Sequence, residues 1–284
     1  MVNKITKDID SRYFNRSVLR AMMILNQFVD QNNEASLTEI SQRIGLDAST
    51  TFRLLLTLES EKFVEQNSET GKYSLGVRCF ELGTLYIEKN DFQKRAKPVM
   101  QKLGNQFGEI VHLTILDGNE VVYLDKVEGT HTLGLIKSYV GCRAPTHCTG
   151  VGKVLLAALS ENELKSAFQS KSLPAFTSKT ITNFDELLQE ISKVRQSGYA
   201  IDDQEHENGV KCIAASIYNH EKVVAAMSIS GPVERMDKYL QEGSIVTSLM
   251  AAAREISMQI GGRNTPISMK NFAIIESEEV RGVF

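Results

Sequence analysis

The stretch from Leu37 to Leu75, LTEISQRIGLDASTTFRLLLTLESEKFVEQNSETGKYSL, constrains this chain more than any other. It opens with Ser36 and Glu39 in the S-x-x-E spacing of a capping box, in which each side chain satisfies a free backbone N–H of the other's turn. Leu37, Ile40 and Ile44 then recur on one helical face. Gly45 ends that helix, because glycine accepts the left-handed conformation a helix end needs. Leu46 fills the corner, and Asp47 can cap a second helix on which Phe52, Leu55 and Leu58 are expected to form the buried stripe. Phe63–Gln66 and Lys72–Leu75 read as short strands around an Asn-Ser-Glu-Thr-Gly tip. Upstream, Val18, Met22, Leu25 and Val29 define an amphipathic helix able to complete a three-helix core. The order is that of a winged helix-turn-helix, which presents a helix N-terminus to a DNA major groove.

Residues off the expected stripe carry the chemistry for such an interface. Ser49, Thr50 and Thr51 offer hydroxyls, and Arg53 a guanidinium that can read a guanine edge through two hydrogen bonds. Thr38 joins this set, and Lys72 and Tyr73 are placed at the wing to touch DNA backbone. Net charge argues the other way. Residues 1–75 hold nine Lys and Arg against ten Asp and Glu, not the basic footprint of a strong nucleic-acid binder. With so weak an electrostatic term, useful affinity requires paired recognition helices, hence a dimer. Winged helices also serve as protein-interaction modules, so the fold alone leaves that reading open.

The chain has 284 residues, room for two domains, with 42% hydrophobic and 24% charged residues and a net charge of −3. These are ordinary values for a globular protein. No apolar run reaches the roughly 18 residues of a membrane helix, and MVNKITKDID leads into no signal-peptide core. A cytoplasmic protein is expected, with Cys79, Cys142, Cys148 and Cys212 as free thiols. Cys142, His147 and Cys148 cluster, but their spacing fits no usual zinc framework. No metal or cofactor is expected. An enzyme reading could use a Cys–His nucleophile pair built on Cys148 or Cys212, with Cys148 and His147 the first candidate.

Past the wing, residues 77–90 read as a linker helix and about 92–107 as a second helix. Ile110–Leu116 and Val121–Val127 flank Asp117-Gly118-Asn119, a hairpin signal, and Thr132–Ile136 could add a strand. Helices are expected at Gly150–Leu159, Glu161–Phe168 and Phe184–Gln196, and strands at Tyr199–Asp202, Val210–Tyr218 and Lys222–Ser230. Arg235–Ile260 reads as one long amphipathic helix. The fold class is α+β, with a largely antiparallel sheet flanked by helices. The expected domains are a winged helix-turn-helix at 16–76, a linker helix at 77–90, a second domain at 91–262 and a tail at 263–284.

Four stretches then resemble the IclR family of bacterial transcriptional regulators: LTEISQRIGLDASTTFRLLLTLES, GKYSLGVRCFELG, PTHCTGVGKVLLA, and GYAIDDQEHENGVKCIAASIYN with VVAAMSISGP. The resemblance covers residues 16 to about 262. It implies a GAF-like effector-binding second domain, a non-enzymatic regulator, operator DNA as partner, and assembly as a dimer or dimer of dimers. Repression of a catabolic operon is the expected role, with activation as the alternative. The effector implied is a small molecule, often a carboxylate. Family positions lining its site fall on Leu133, Ile136, Gly150, Val151, Asp202, Cys212, Ser228 and Ser230; the position of Val151 often carries a smaller residue.

The chemistry of these residues suits that role. Gly150 and Val151 open a helix, where free N–H groups and the dipole favour an anion. Ser228 and Ser230 are two apart on a strand and share a face, with Ile229 turned away. Asp202 can accept from a ligand hydroxyl but repels a carboxylate.

Overall fold

The structure, a computed structural model, describes residues 14–29, 33–89, 91–131, 138–169, 172–220 and 222–262. It divides into two compact units between Asn90 and Asp91. The strand anticipated at Thr132–Ile136 and the tail 263–284 lie outside the described residues.

In the first unit, α1 (Arg16–Asn26), α2 (Leu37–Ile44) and α3 (Ala48–Ser60) are followed by the two-stranded wing, β1 (Val64–Gln66) and β2 (Tyr73–Leu75), then by α4 (Val77–Lys89). The capping box forms: Ser36 N–H donates to Glu39 Oε2 at 2.8 Å, and Glu39 N–H to Ser36 Oγ at 3.3 Å. Asp47 caps α3, accepting from Thr50 N–H at 2.8 Å. The strands pair antiparallel, with Glu65 opposite Ser74, and Ala35 adds a bridge to Tyr73. Ile24, Phe28, Ile40, Leu55, Val64 and Tyr73 make the core.

Two faces differ from expectation. On α3 the buried stripe is Thr51, Leu55 and Leu58, while Phe52 is 42% exposed. The stripe is rotated by one residue, which periodicity alone resolves poorly when Thr and Phe adjoin. On α1 the buried face is Ile24, with Ala21 and Leu25 packed beside it; Val18 and Met22 are exposed.

The second unit begins with α5 (Asp91–Phe107). Strands β3 (Ile110–Asp117), β4 (Glu120–Val127), β5 (Arg143–Pro145), β6 (Tyr199–Asp203), β7 (Val210–Asn219) and β8 (Lys222–Pro232) form one antiparallel sheet in the order β5-β4-β3-β8-β7-β6. Its helices are α6 (Gly150–Ala157), α7 (Glu161–Phe168), α8 (Phe184–Ser197), α9 (Val233–Gln241) and α10 (Ser244–Gln259). Side chains alternate across the sheet. Val111, Leu113, Ile213, Met227 and Ile229 pack with residues of α5 and α10. Ala214 and Ala226 pack with Val151, Val154 and Leu155 of α6.

The helix anticipated over Arg235–Ile260 is two. Gly243 takes φ 68°, a left-handed conformation that breaks the helix between α9 and α10. The short strand β5 was not anticipated. Three residues with one buried side chain carry too little alternation to be read.

Candidate functional site

The first unit presents an exposed face built from α2, α3 and the wing. Thr38, Ser49, Arg53 and Lys72 are exposed and Thr50 is half-buried. Two residues anticipated there point elsewhere. Thr51 is fully buried and its hydroxyl donates to Asp47 O at 3.0 Å. The Tyr73 ring is buried in the core, and burial raises its phenol pKa. Both follow from packing: Thr51 lies on the buried face of α3 with Leu55 and Leu58, and Tyr73 is the strand side chain by which the wing joins the core.

The second unit holds a partly enclosed cavity of about 40 Å³ with polar side chains in its wall. Its lining includes Gly150, Val151, Asp202, Cys212, Ser228 and Ser230, all anticipated from the sequence, together with His112 and Tyr123. Leu133 and Ile136 lie outside the described residues.

One wall is the start of α6. Thr149 caps the helix: its hydroxyl accepts from Gly152 N–H at 3.2 Å and donates to Pro145 O at 2.7 Å. The N–H groups of Gly150 and Val151 have no partner among the described residues. Such free donors, with the helix dipole behind them, favour an anion. Gly152 lets this helix seat, since a Cβ there would lie 2.3 Å from the Thr146 carbonyl oxygen.

The opposite wall is sheet. Ser230 pairs with Cys212 and with Ile110, and Ser228 with His112. The two serine hydroxyls converge on His112 Nδ1, at 3.5 Å from Ser228 and 3.4 Å from Ser230. His112 Nε2 lies 2.7 Å from Ser138 Oγ, and its ring meets Tyr123 edge-on at 5.0 Å. Burial, with Lys126 nearby, holds the imidazole neutral, its pKa down to about 3. Burial likewise raises the Tyr123 phenol and the Cys212 thiol, so both stay protonated.

Asp202 closes a third side. It is 3% exposed, and its Oδ1 accepts from Glu205 N–H at 2.7 Å and His206 N–H at 3.4 Å. Burial pushes its pKa up to about 7. Near neutral pH this carboxyl can carry a proton, which removes most of the repulsion a carboxylate ligand would meet. Behind it, the fully buried Lys153 ammonium donates to Glu205 Oε1 at 2.6 Å and Glu190 Oε1 at 3.3 Å, and to Ile201 O. This ties α6 to the loop after β6, whose His206 and Glu207 also line the cavity.

Cys148 is fully buried and burial pushes its thiol up to about 12, far from a reactive thiolate. His147 Nε2 is 3.0 Å from Pro174 O. Among the described residues no group of three or more His, Cys, Asp or Glu could hold a metal ion, and no helix is long and apolar enough to cross a membrane.

Sequence reasoning missed His112. Its signal was a single ring nitrogen pair inside the apolar run IVHLTIL, at a position that alternation turns to the same face as Thr114.

Known proteins match both units. The IclR helix-turn-helix domain model matches residues 17–68, and the model for the bacterial transcriptional regulator IclR C-terminal domain matches residues 84–258. The chain belongs to the IclR family. Among relatives of this IclR-family chain, the HTH-type transcriptional regulator XynR of Escherichia coli is 39% identical over 78% of the chain and 88% of its own length. The transcriptional repressor IclR of the same organism is 33% identical over 87% of the chain and 90% of its own length. The crystal structure of Thermotoga maritima IclR matches with a TM-score of 0.68 at 31% identity, covering 86% of this chain and 98% of that one. The chain is thus a ligand-responsive, DNA-binding transcriptional regulator, with an α+β fold and an N-terminal helix-turn-helix.

Proposed function

We propose that this regulator is a cytoplasmic, non-enzymatic repressor of a catabolic operon, controlled by a small carboxylate that binds in the second-unit cavity. The observation that carries the reading is the pairing of free helix N-terminal donors at Gly150 and Val151 with the hydroxyls of Ser228 and Ser230 in one buried space. The carboxylate sits on α6, the serines take a second polar group, and Asp202 and Cys212 complete the wall. Leu133 and Ile136 belong to the same proposed effector set. The high thiol pKa of Cys148 favours regulation over nucleophilic catalysis. The similarity to a named repressor supports the sign of regulation.

Operator contact is assigned to Thr38, Ser49, Thr50, Arg53 and Lys72. Thr51 and Tyr73 serve the core instead. Arg53 is exposed and has no partner among the described residues, so its guanidinium is free to read a base edge. A homodimer or dimer of dimers supplies the paired recognition helices that the near-neutral charge of this unit demands. Exposed apolar side chains on α1 (Val18, Leu19, Met22) and α4 (Phe80, Leu85) favour such association. The effector must bind two arrangements of the protein with different affinity, or it shifts nothing.

The test is the double change Ser228→Ala and Ser230→Ala. Effector response should be lost while binding to the operator upstream of the chain's own gene persists in a gel-shift assay. Undiminished effector affinity in the double variant would remove the cavity from this role.

A further inference from the structure

We propose that Phe52 is a base-reading residue of the DNA interface, and that it reads a thymine through the C5 methyl group in the major groove. The proposal rests on α3 being the helix that enters that groove, as assigned above. It adds a residue that apolar periodicity alone places in the core.

Ser49, Phe52, Arg53, Leu56 and Ser60 of α3 are exposed, whereas Thr51, Leu55 and Leu58 are buried. An α-helix turns about 100° per residue, so the five exposed side chains fall within one band about 100° wide. Ser49 lies near its middle, with Phe52 on one flank and Arg53 on the other. Phe52 is 42% exposed and Leu56, one turn further on, is 46% exposed. Neither packs against the core of this unit, which takes Leu54, Leu55 and Leu58 from α3. Residues four apart on a helix are neighbours, so the two make a continuous apolar strip beside the guanidinium. From Ala48 to Leu58 the chain contains Arg53 and no acidic residue. The strip is therefore continuous with the part of the unit that a polyanion can approach.

Chemistry then selects the base. The major-groove edges of the four bases show hydrogen-bond acceptors, amino donors and one apolar group, the thymine methyl. A phenyl ring has neither donor nor acceptor. Against a polar edge it would displace water and return no hydrogen bond, which is costly. Against the methyl group both apolar surfaces leave water together, which is favourable. Arg53 has the opposite preference, for the two acceptors of guanine. Phe52 and Arg53 are separated by about 1.5 Å along the helix axis and about 100° around it, so their side chains diverge towards neighbouring base pairs. The half-site read by α3 then carries a thymine within about two base pairs of the guanine.

The experiment selects a binding site from random duplex DNA with the full-length protein, then replaces each thymine in it singly by uracil. Uracil lacks the methyl and keeps every hydrogen-bonding group. At one thymine of a half-site the wild type should lose about fourfold in affinity, the effect of one buried methyl. Cytosine at that position should cost about tenfold or more, and 5-methylcytosine should recover part of the loss. Phe52→Ala should bind the parent site more weakly, keep its melting temperature, and no longer distinguish thymine from uracil there. Phe52→Leu, still apolar, should keep part of the distinction. Arg53→Ala should weaken binding and leave the methyl dependence intact. If the wild type binds every uracil-substituted site as tightly as the parent, the proposal is overturned without any variant. If a methyl-dependent thymine stays equally methyl-dependent in Phe52→Ala, another residue reads it and Phe52 is overturned. In either case weaker binding by Arg53→Ala leaves α3 standing as the reading helix. If no sequence is selected from the pool, that assignment falls and Phe52 falls with it.

Discussion

Replacing Lys153 by Met probes the link between α6 and the effector loop, and its magnitude can be worked from the structure. The ammonium is 0% exposed and pairs with two carboxylates, of which Glu205 is itself buried. Glu205 Oε2 already has no hydrogen-bond partner among the described residues. Methionine keeps most of the volume and removes the charge, leaving Glu205 uncompensated. Breaking a buried pair from one side typically costs about 3–5 kcal/mol. The loss has a ceiling, because Glu205 can escape by taking a proton. Burial already raises its pKa, and the attraction of Lys153 opposes that rise. Without Lys153 the folded-state pKa climbs further above its unfolded value. A raised carboxyl pKa gives stability that is present below the unfolded value and is lost as pH rises through the folded one. The deficit of Lys153→Met should therefore be smallest at acid pH and grow as pH rises above the ordinary carboxyl range. Urea unfolding of the protein at a low and a high pH measures it, with unchanged slope indicating a change in stability alone. Adding Glu205→Gln should recover part of the loss, a non-additivity of about 0.5–3 kcal/mol. A loss below about 1 kcal/mol at the higher pH, with no pH trend, would refute the claim that this pair is a desolvated one.

Other outcomes follow from single observations. Arg53→Ala should weaken operator binding while leaving melting temperature and effector affinity unchanged; an unaltered gel shift would take Arg53 off the reading face. Asp202→Asn keeps an acceptor for the Glu205 and His206 backbone N–H groups and removes a carboxyl whose pKa burial raises to about 7. It should stabilise the protein above about pH 7, by up to about 4 kcal/mol, with the gain vanishing towards about pH 4; thermal melts across that range would show no crossover if the carboxyl is not desolvated. Gly152→Ala should cost about 3 kcal/mol or more and abolish effector binding, because its Cβ would meet the Thr146 backbone, which cannot swing aside. Ser36→Ala should cost about 1 kcal/mol through loss of the capping box, read from the urea midpoint.

Features set by neighbours within a few residues are legible in the sequence. The Ser36–Glu39 box, the Asp47 cap and the Gly118-Asn119 hairpin turn depend on local backbone donors and on φ, and they occur where the residues require. Strand alternation likewise put Ser228 and Ser230 on one face. What could not be read locally is which of two adjoining faces packs. Thr51 is inside and Phe52 outside because α3 turns the Thr51 face to a core shared with α1, α2 and the wing, and that direction is not encoded in α3 alone. The break at Gly243 is likewise hidden in the sequence, since apolar periodicity continues across it.

The cavity shows the same division most clearly. The residue types that build it stand in chain segments separated by up to a hundred residues or so, and the free donors of Gly150, the serine pair and Asp202 each announced a polar role. Only the sheet order β3-β8-β7 brings His112 beside Ser228 and Ser230 and sets Cys212 next to them. Only burial turns that meeting into chemistry, by keeping the imidazole neutral and lifting the Asp202 carboxyl towards neutrality. Desolvation belongs to the packed ensemble of segments, and no single segment carries it.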